Sequence, residues 1–97
     1  MQLSAYDIQL IKSYFAEQPV LRAYLFGSYA RNNASVESDV DILVDLDYNR
    51  PIGLGFVQMQ IDLQEKLQKK IDLISSKAVS KYILPFIDKD KTLIDER

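Results

Sequence analysis

The sequence predicts a single α/β domain, in which helices pack on a small mixed β-sheet, and three observations support this prediction. The chain has 97 residues, and 47% of them are hydrophobic, which is enough for one core. Segments with the apolar spacing of a helix alternate with short β-branched and aromatic segments that are typical of strands. The chain contains no repeat or low-complexity stretch. We therefore expect one domain over residues 1–97.

The chain is predicted to begin with a helix and a strand. Ser4 and Asp7 match a capping box, and apolar residues follow at helical spacing, so residues 4–18 predict an amphipathic helix. Pro19 is expected to end it. Residues Val20 to Phe26 are rich in β-branched and aromatic side chains and predict the first strand.

A sharp corner and a second strand are predicted next. Gly27 and Ser28 indicate a turn into a short helix that ends near Asn33. Residues 38–46 predict the second strand, because apolar and acidic side chains alternate along it. One face of this strand carries Val40, Ile42, Val44 and Leu46. The other face carries Asp39, Asp41, Leu43 and Asp45.

The second half of the chain is predicted to contain the longest helix and a third strand. The helix follows from four apolar residues at helical spacing: Phe56, Met59, Leu63 and Leu67. Residues 71–74 predict the third strand, with Ser75 or Ser76 capping a helical segment after it. Because Pro85 lies inside the next apolar stretch, a broken helix or two short helices are expected there. Residues 92–94 predict a last short strand.

Composition narrows the kinds of function that are open to the chain. Twelve Lys and Arg against fourteen Asp and Glu give a net charge of −2, which favours neither nucleic acid nor an anionic membrane as a partner. Cys and His are absent, so thiol and imidazole catalysis and the usual zinc ligands are excluded. Carboxylates are the remaining strong metal ligands, and they favour hard cations. No apolar run suits a membrane span or signal peptide, so a cytoplasmic setting is expected.

The corner after the first strand has the residues of a phosphate-binding turn. Gly27 lets a backbone approach phosphate oxygens, Ser28 adds a hydroxyl donor, and free N–H groups at the start of the next helix favour an anion. Arg31 follows one helical turn later. Its guanidinium would either contact a phosphate or form a structural salt bridge, and the sequence leaves both open. Tyr29 is expected to pack rather than to stack on a base.

Three acidic residues are candidates for metal binding. Asp39 and Asp41 are predicted to lie on one face of the second strand, where their carboxylates repel unless a cation or solvent separates them. Asp72 stands alone among the apolar residues of the third strand. If that strand pairs beside the second, the three carboxylates converge and suit a two-metal mechanism, in which Asp72 with its metal is the base. The alternative is that these acids are solvated surface residues.

These residues resemble the signature of the minimal nucleotidyltransferases of the DNA polymerase β superfamily, which is a Gly-Ser corner, an Asp-x-Asp strand and a third Asp on a later strand. In this chain the signature residues are Gly27-Ser28, Asp39-Val40-Asp41 and Asp72. The resemblance covers most of residues 20–76 and adds Ser38, before the acids, to the predicted nucleotide-binding residues. It implies a polymerase β-like fold. Many relatives have Gly where this chain has Asn32, and many have Gly near position 68, where this chain has Gln68.

The resemblance also implies an activity and a partner. The activity is transfer of a nucleoside monophosphate, usually AMP from ATP, to an acceptor hydroxyl with Mg²⁺ as the expected ion and Mn²⁺ as its alternative. Stand-alone members are often antitoxins beside a helical HEPN-type toxin, and some attach AMP to a tyrosine of that partner. An antitoxin that only covers its partner is the second interpretation. A drug-modifying enzyme fits poorly, because such enzymes need a further domain for the acceptor.

A short apolar segment near the C-terminal end is a candidate for contact with the acceptor protein. It contains Tyr82, Ile83, Leu84 and Phe86. The sequence leaves two other interpretations open, namely that these residues belong to the core or that they are buried in a homodimer.

Overall fold

Four β-strands form one mixed sheet, with helices packed against it, in the computed structural model, which describes residues 2–97. The helices are α1 (Ala5–Phe15), α2 (Gly27–Ala30), α3 (Gly55–Leu67) and α4 (Leu84–Asp90), with a short 3-10 helix at Ser76–Ala78. The strands are β1 (Val20–Phe26), β2 (Val40–Leu46), β3 (Ile71–Ser75) and β4 (Thr92–Glu96). Among the described residues, none of these helices could span a bilayer.

The order of the strands is β3-β2-β1-β4, and both kinds of pairing occur. β1 is antiparallel to β2 on one side and to β4 on the other, whereas β2 and β3 are parallel. In this register Asp41 lies opposite Phe26 on one neighbour and opposite Asp72 on the other. The third strand therefore pairs beside the second, which was the condition for bringing their acids together, and the predicted mixed α/β sheet is confirmed.

One face of the sheet, which we call the core face, is covered by α1 and α3. Its β2 residues are Val40, Ile42, Val44 and Leu46, all buried as predicted. Helix α1 contributes Ile11 and Phe15, and helix α3 contributes Met59, Leu63 and Leu67, with Phe56 partly buried against the same cluster. The predicted apolar face of the longest helix is thus confirmed. Burial of these side chains is the main source of stability for the fold.

The opposite face, which we call the open face, carries Asp41, Leu43 and Asp45 of β2. Leu43 is only 1% exposed, although it is not part of the main core cluster. Phe26 shares this face with Asp41 and lines a pocket together with Phe86 of α4. Helix α4 therefore lies near the end of β1 on the open face, where Phe26 pairs with Asp41.

Helix α1 starts as predicted and ends earlier than predicted. The capping box is present: the Asp7 N–H donates to the Ser4 hydroxyl at 3.0 Å, and the Ser4 N–H donates to the Asp7 carboxylate at 3.4 Å. The helix stops at Phe15, and a turn replaces the last predicted residues. The Arg97 guanidinium donates to two carbonyl groups of this turn, those of Ala16 and Gln18. The turn is stable because these groups find partners outside the helix.

Helix α2 is also shorter than predicted, because the chain leaves the helical region at Asn32. Asn32 has a φ of 61°, and Gln68, which follows α3, has a φ of 53°. Glycine adopts this left-handed conformation most easily, and the resemblance predicted Gly in many relatives at position 32 and near position 68. The Gln68 side-chain amide donates to the Glu65 carbonyl at 2.6 Å.

Strand β2 begins at Val40, so the prediction that Asp39 lies on the strand is wrong. The Val40 N–H donates to the Lys70 carbonyl at 2.8 Å, which is the first bond that ties β2 to the β3 side. On the other side, β1 ends at Phe26, opposite Asp41. Asp39 therefore has no partner on β1 and directly precedes the strand.

The C-terminal region contains two short helices, but the helix break expected around Pro85 is wrong, because a single helix runs through that stretch. The first is the 3-10 helix, and the second is α4, where Pro85 lies in the first turn and its missing N–H leaves no bond unmade. Ser75 occupies the cap position of the 3-10 helix but makes no side-chain cap bond, so the predicted serine cap is not formed. The last strand is present as predicted and extends to Glu96.

Candidate active site

Asp41 and Asp72 lie side by side on the open face of the sheet. The parallel register of β2 and β3 places their Cα atoms directly opposite each other, and paired strands are about 4.8 Å apart. Asp72 is exposed and Asp41 is half-buried. Side chains that are paired in this way point to the same face. Both carboxylates therefore lie where the sequence predicted them to meet.

The Asp41 carboxyl has an unusual titration behaviour that follows from its surroundings. Burial, together with the negative charges of Asp72 and Asp39, raises its pKa to about 6, while the positive charge of Arg31 acts in the opposite direction. Asp39 is thus close enough to act on Asp41 although it is not on the strand. The ionised form of Asp41 lacks sufficient positive charge around it.

The carboxylate group fits a hard divalent cation in its chemistry. The chain offers oxygen ligands at Asp39, Asp41 and Asp72 and has no Cys or His that would favour a softer metal. A cation would also relieve the repulsion that raises the pKa of Asp41. Within residues 2–97, however, no three acidic side chains already stand in the arrangement of a metal site. The strand register and the charge interactions bring Asp72 and Asp39 near Asp41, and the three-acid metal site stays a prediction.

Gly27 contacts Asp41 so closely that a side chain at this position would have to displace the Asp41 carboxylate. Its φ is +73°, and a Cβ atom built there would overlap the Oδ2 atom of Asp41 and lie 3.2 Å from its Cγ atom. The glycine is thus required by its conformation and by the neighbouring carboxylate at once. Ser28 follows in the four-residue helix α2. The backbone of Gly27 therefore adjoins the Asp41 carboxylate, and the Ser28 hydroxyl follows it in the chain.

Arg31 forms a salt bridge, which was one of the two interpretations that the sequence left open. Its guanidinium Nη1 donates to the Oδ2 atom of Asp90, at the end of α4, at 3.0 Å. Both side chains are partly exposed, so this ion pair alone stabilises the fold little. Sequence reasoning did not find Asp90, because the pair joins residues far apart in the chain and only the packing of α4 brings them together.

Ser38 lies in a turn that leads into Asp39. Its hydroxyl accepts from the Ser35 N–H at 2.9 Å, and the Ser38 N–H donates to the Ser35 carbonyl at 3.1 Å. These bonds order the segment between α2 and β2. The hydroxyl of Ser38 is therefore engaged in local structure here, and its contact with a nucleotide stays a prediction. Tyr29, which was expected to pack, is 4% exposed and belongs to the core cluster.

A pocket of about 430 Å³ adjoins the glycine corner on the open face. Its volume lies within the range of about 300–1,000 Å³ that is usual for small-molecule sites. One wall comes from the end of β1 and from α2, and the other comes from α4. The lining residues are Phe26, Gly27, Arg31, Phe86, Ile87, Lys89 and Asp90. Gly27 thus faces both the Asp41 carboxylate and this pocket.

The apolar segment that was a candidate for protein contact is largely outside the core. Tyr82, Ile83 and Phe86 are exposed, Phe86 by 70%, and Leu84 is half-buried. Phe86 also lines the pocket beside Gly27. The interpretation of this segment as core is therefore wrong for the three exposed residues.

Comparison with known proteins is consistent with this geometry. The model of the family described as polymerase beta, nucleotidyltransferase, matches residues 9–97. A protein of Methanocaldococcus jannaschii that is named a protein adenylyltransferase is 38% identical over 60 residues, which are 62% of this chain and 63% of that protein. The match therefore spans less than two thirds of that relative.

Solved structures share the fold at low sequence identity. A minimal nucleotidyltransferase superposes with a TM-score of 0.78 and 23% identity, over 90% of this chain and 88% of that one. A chain of the complex between a tri-AMPylated HEPN toxin and an MNT antitoxin, from Shewanella oneidensis, superposes with a TM-score of 0.72 and 17% identity, over 95% of this chain and 71% of that one. The predicted polymerase β-like fold is confirmed. The chain belongs to the polymerase beta nucleotidyltransferase family.

Proposed function

We propose that this chain transfers AMP from ATP to a hydroxyl group of a partner protein, with divalent metal ions as cofactors. The observation that carries this proposal is the position of Gly27 against the Asp41 carboxylate, with Asp72 next to Asp41 across the parallel strands. A phosphate-binding corner beside paired acids is the arrangement that nucleotidyl transfer needs. The family match over residues 9–97 supports the same reaction class.

Asp39, Asp41 and Asp72 are the residues that would hold the metal, Mg²⁺ or Mn²⁺. Bound ions of this kind neutralise charge on the phosphates and lower the pKa of the attacking hydroxyl. The raised pKa of Asp41 supports this assignment, because the cause is burial together with uncompensated negative charge. Burial and the neighbouring acids disfavour an ionised Asp41 that has no cation beside it.

The glycine corner would position the triphosphate. At Gly27 the absence of a Cβ atom lets the Asp41 carboxylate lie against the backbone of the corner that would hold a phosphate, and Ser28 supplies a hydroxyl donor at the start of α2. Arg31 directly follows the same short helix and would exchange the Asp90 carboxylate for a phosphate oxygen. The exchange is favourable when the triphosphate is bound, because the Arg31–Asp90 pair is partly solvated and weak.

The proposed transfer step needs only ATP and the acceptor hydroxyl as reactants. The acceptor oxygen forms a bond with the α-phosphorus of ATP, the bond from that phosphorus to the β-phosphate bridge breaks, and pyrophosphate leaves. The proton of the acceptor hydroxyl moves to the Asp72 carboxylate, which is the exposed member of the acid pair. Asp41, which is half-buried, stays in place as a ligand.

A HEPN-type toxin is the acceptor that we propose, with a tyrosine hydroxyl as the modified group. The relative from M. jannaschii is named a protein adenylyltransferase, and the S. oneidensis neighbour is a complex of an AMPylated HEPN toxin with an MNT antitoxin. The side chains of Tyr82, Ile83 and Phe86 are exposed, Phe86 lines the pocket, and all three are suited to contact with such a protein. We place this antitoxin activity in the cytoplasm, where ATP is available.

The test is transfer in a mixture of the chain, the candidate toxin, ATP and Mg²⁺, with the mass of the toxin as readout. We expect one or more additions of AMP with the natural chain and a loss of at least about 100-fold in rate for Asp41→Asn and Asp72→Asn. Asp45→Asn is the matched control, because Asp45 lies on the same face of β2 and pairs with Arg22 instead. Equal rates of AMP transfer in all three variants would show that Asp41 and Asp72 are not the metal-binding acids.

The alternative is an antitoxin that acts by contact alone. It is supported by the absence of a ready-made three-acid metal site within residues 2–97. In that case the toxin would be inhibited equally by the natural chain and by Asp41→Asn, with no change of mass and no need for ATP. The mass readout and the inhibition readout together separate the two functions.

A further inference from the structure

Charged residues line both walls of the pocket beside Gly27. Arg31 lies on the α2 side, whereas Lys89 and Asp90 lie on the α4 side. Gly27 itself connects this pocket with the Asp41 carboxylate, because it borders both. A ligand that begins at the acids and continues past Gly27 would therefore enter the space between the two walls.

Lys89 differs from the other charged residues around this pocket. Arg31 is paired with Asp90 at 3.0 Å, and Lys91, two residues further along, is paired with Asp88 at 2.8 Å. Within the described part of the chain, Lys89 takes part in no hydrogen bond, ion pair or ring contact through its side chain. It is an exposed cation that lines a pocket and has no carboxylate to neutralise it.

We propose that Lys89 binds the β- and γ-phosphates of the nucleoside triphosphate, from the wall opposite Arg31. This inference rests on the proposed function, which puts the α-phosphate at Asp41. Since the reaction takes place there, the rest of the triphosphate would extend past Gly27 into the pocket. Two cations from opposite walls then bind the polyphosphate, and helix α4 becomes part of the nucleotide site.

The arrangement also explains how Arg31 can leave Asp90. When the phosphates enter, Arg31 exchanges a carboxylate for a phosphate oxygen, and the partly exposed Asp90 carboxylate turns to solvent. Lys89 thus acts as a binding residue for the donor and takes no part in proton transfer. The sequence alone offered no signal for it, because Lys89 has the ordinary appearance of a surface lysine in a helix.

The test is the affinity of the full chain for ATP, for inorganic tripolyphosphate and for AMP, measured by calorimetry with Mg²⁺ present. For Lys89→Gln we expect the dissociation constants of ATP and of tripolyphosphate to rise roughly tenfold, as is usual for a lost charge-assisted bond. The dissociation constant of AMP, which lacks the two outer phosphates, should not change. Lys89→Arg should restore most of the ATP affinity.

The matched control is Lys81→Gln, because Lys81 is also an exposed lysine near α4 but lies over the Tyr82 ring and does not line the pocket. Identical ATP affinities of Lys89→Gln and Lys81→Gln would overturn the inference. An equal loss of affinity for AMP would also overturn it, since Lys89 would then contact the nucleoside or the α-phosphate.

The result also distinguishes this inference from the proposed function. If the natural chain binds ATP and modifies its partner while Lys89→Gln is unchanged, only the role of Lys89 is wrong. If the natural chain neither binds ATP nor transfers AMP, both proposals fail. The Lys89 side chain has no contact to lose in the described chain, so a folding defect is not expected, and thermal unfolding of each variant checks this.

Discussion

The core face and the open face of the sheet are built from alternate residues of the same strands, yet they differ in what their side chains contact. On the core face, Val40, Ile42 and Val44 are fully buried beneath α1 and α3. On the open face, Asp41 is half-buried beside another acid and has a raised pKa. The first arrangement stabilises the fold without a ligand. In the second arrangement the ionised form of Asp41 is disfavoured, because it is partly buried beside other acids, and this agrees with the proposed metal site.

The comparison also shows how closely the two faces depend on each other. Gly27 directly follows a strand whose residues Ala23 and Leu25 are buried in the core cluster. The buried residues therefore hold the end of β1 in place, and the missing Cβ at the corner after it leaves space for Asp41. A rigid apolar layer on one side thus positions the polar groups on the other side.

The largest effect is expected from Gly27→Ala, which fills the space on the open face. The new Cβ atom would displace the Asp41 carboxylate, and a shift of this kind lowers rates by about 100-fold. Gly53→Ala is the control, because Gly53 also has a positive φ, but a Cβ atom added there would meet no other atom within 4 Å. Gly53→Ala should therefore introduce backbone strain without lowering the rate of AMP transfer. Equal rates of AMP transfer for the two variants would contradict the role of this contact.

A smaller effect is expected on stability from Asp41→Asn in metal-free buffer. Because the pKa of Asp41 in the folded protein is about 6, above the ordinary value of 3.8, its ionised form destabilises the fold at neutral pH. The variant should therefore be more stable than the natural chain at pH 7.5, by about 1 kcal/mol after allowance for solvent screening. The difference should shrink as the pH falls through 6 and vanish below about pH 4.

Asp45→Asn should behave in the opposite way, which sharpens the comparison within one face. Burial raises the pKa of Asp45, but hydrogen bonds from Ser76 and Arg22 outweigh it and lower the pKa overall. Asp45 therefore contributes stability at neutral pH, and this contribution is lost in acid as the carboxyl is protonated. Urea unfolding at several pH values measures the change in the free energy of unfolding that each substitution causes. A change of the same sign in both variants would show that Asp41 and Asp45 have the same effect on stability, and would contradict the comparison.

The smallest effect is expected from Gln68→Gly, at the end of the helix that covers the core face. Gln68 holds a left-handed conformation that glycine adopts with less strain, so the variant should gain about 0.5 kcal/mol in the free energy of unfolding. Asn32→Gly should gain less, since asparagine tolerates this conformation. Transfer should be unchanged in Gln68→Gly. A loss of stability would mean that the side-chain bond to the Glu65 carbonyl is worth more than the relieved strain.

Much of the fold could be predicted from local patterns. The β-branched run of Val20–Phe26, the alternation along β2 and the helical spacing of α3 each identified an element that the structure contains. Boundaries were less accurate, because they depend on partners from elsewhere in the chain. Residue 38 was predicted to begin β2, but the strand begins where the Lys70 carbonyl accepts its first bond.

The sequence by itself was enough to select the residues of the candidate site. Gly27, Ser28 and three acids, Asp39, Asp41 and Asp72, could be selected because their residue types and spacing have few other uses together. Only the tertiary structure decided how they meet: the parallel register that pairs Asp41 with Asp72, the position of Asp39 outside the strand, and the salt bridge from Arg31 to α4. Strand register and helix packing depend on contacts between distant segments, which local sequence patterns do not specify.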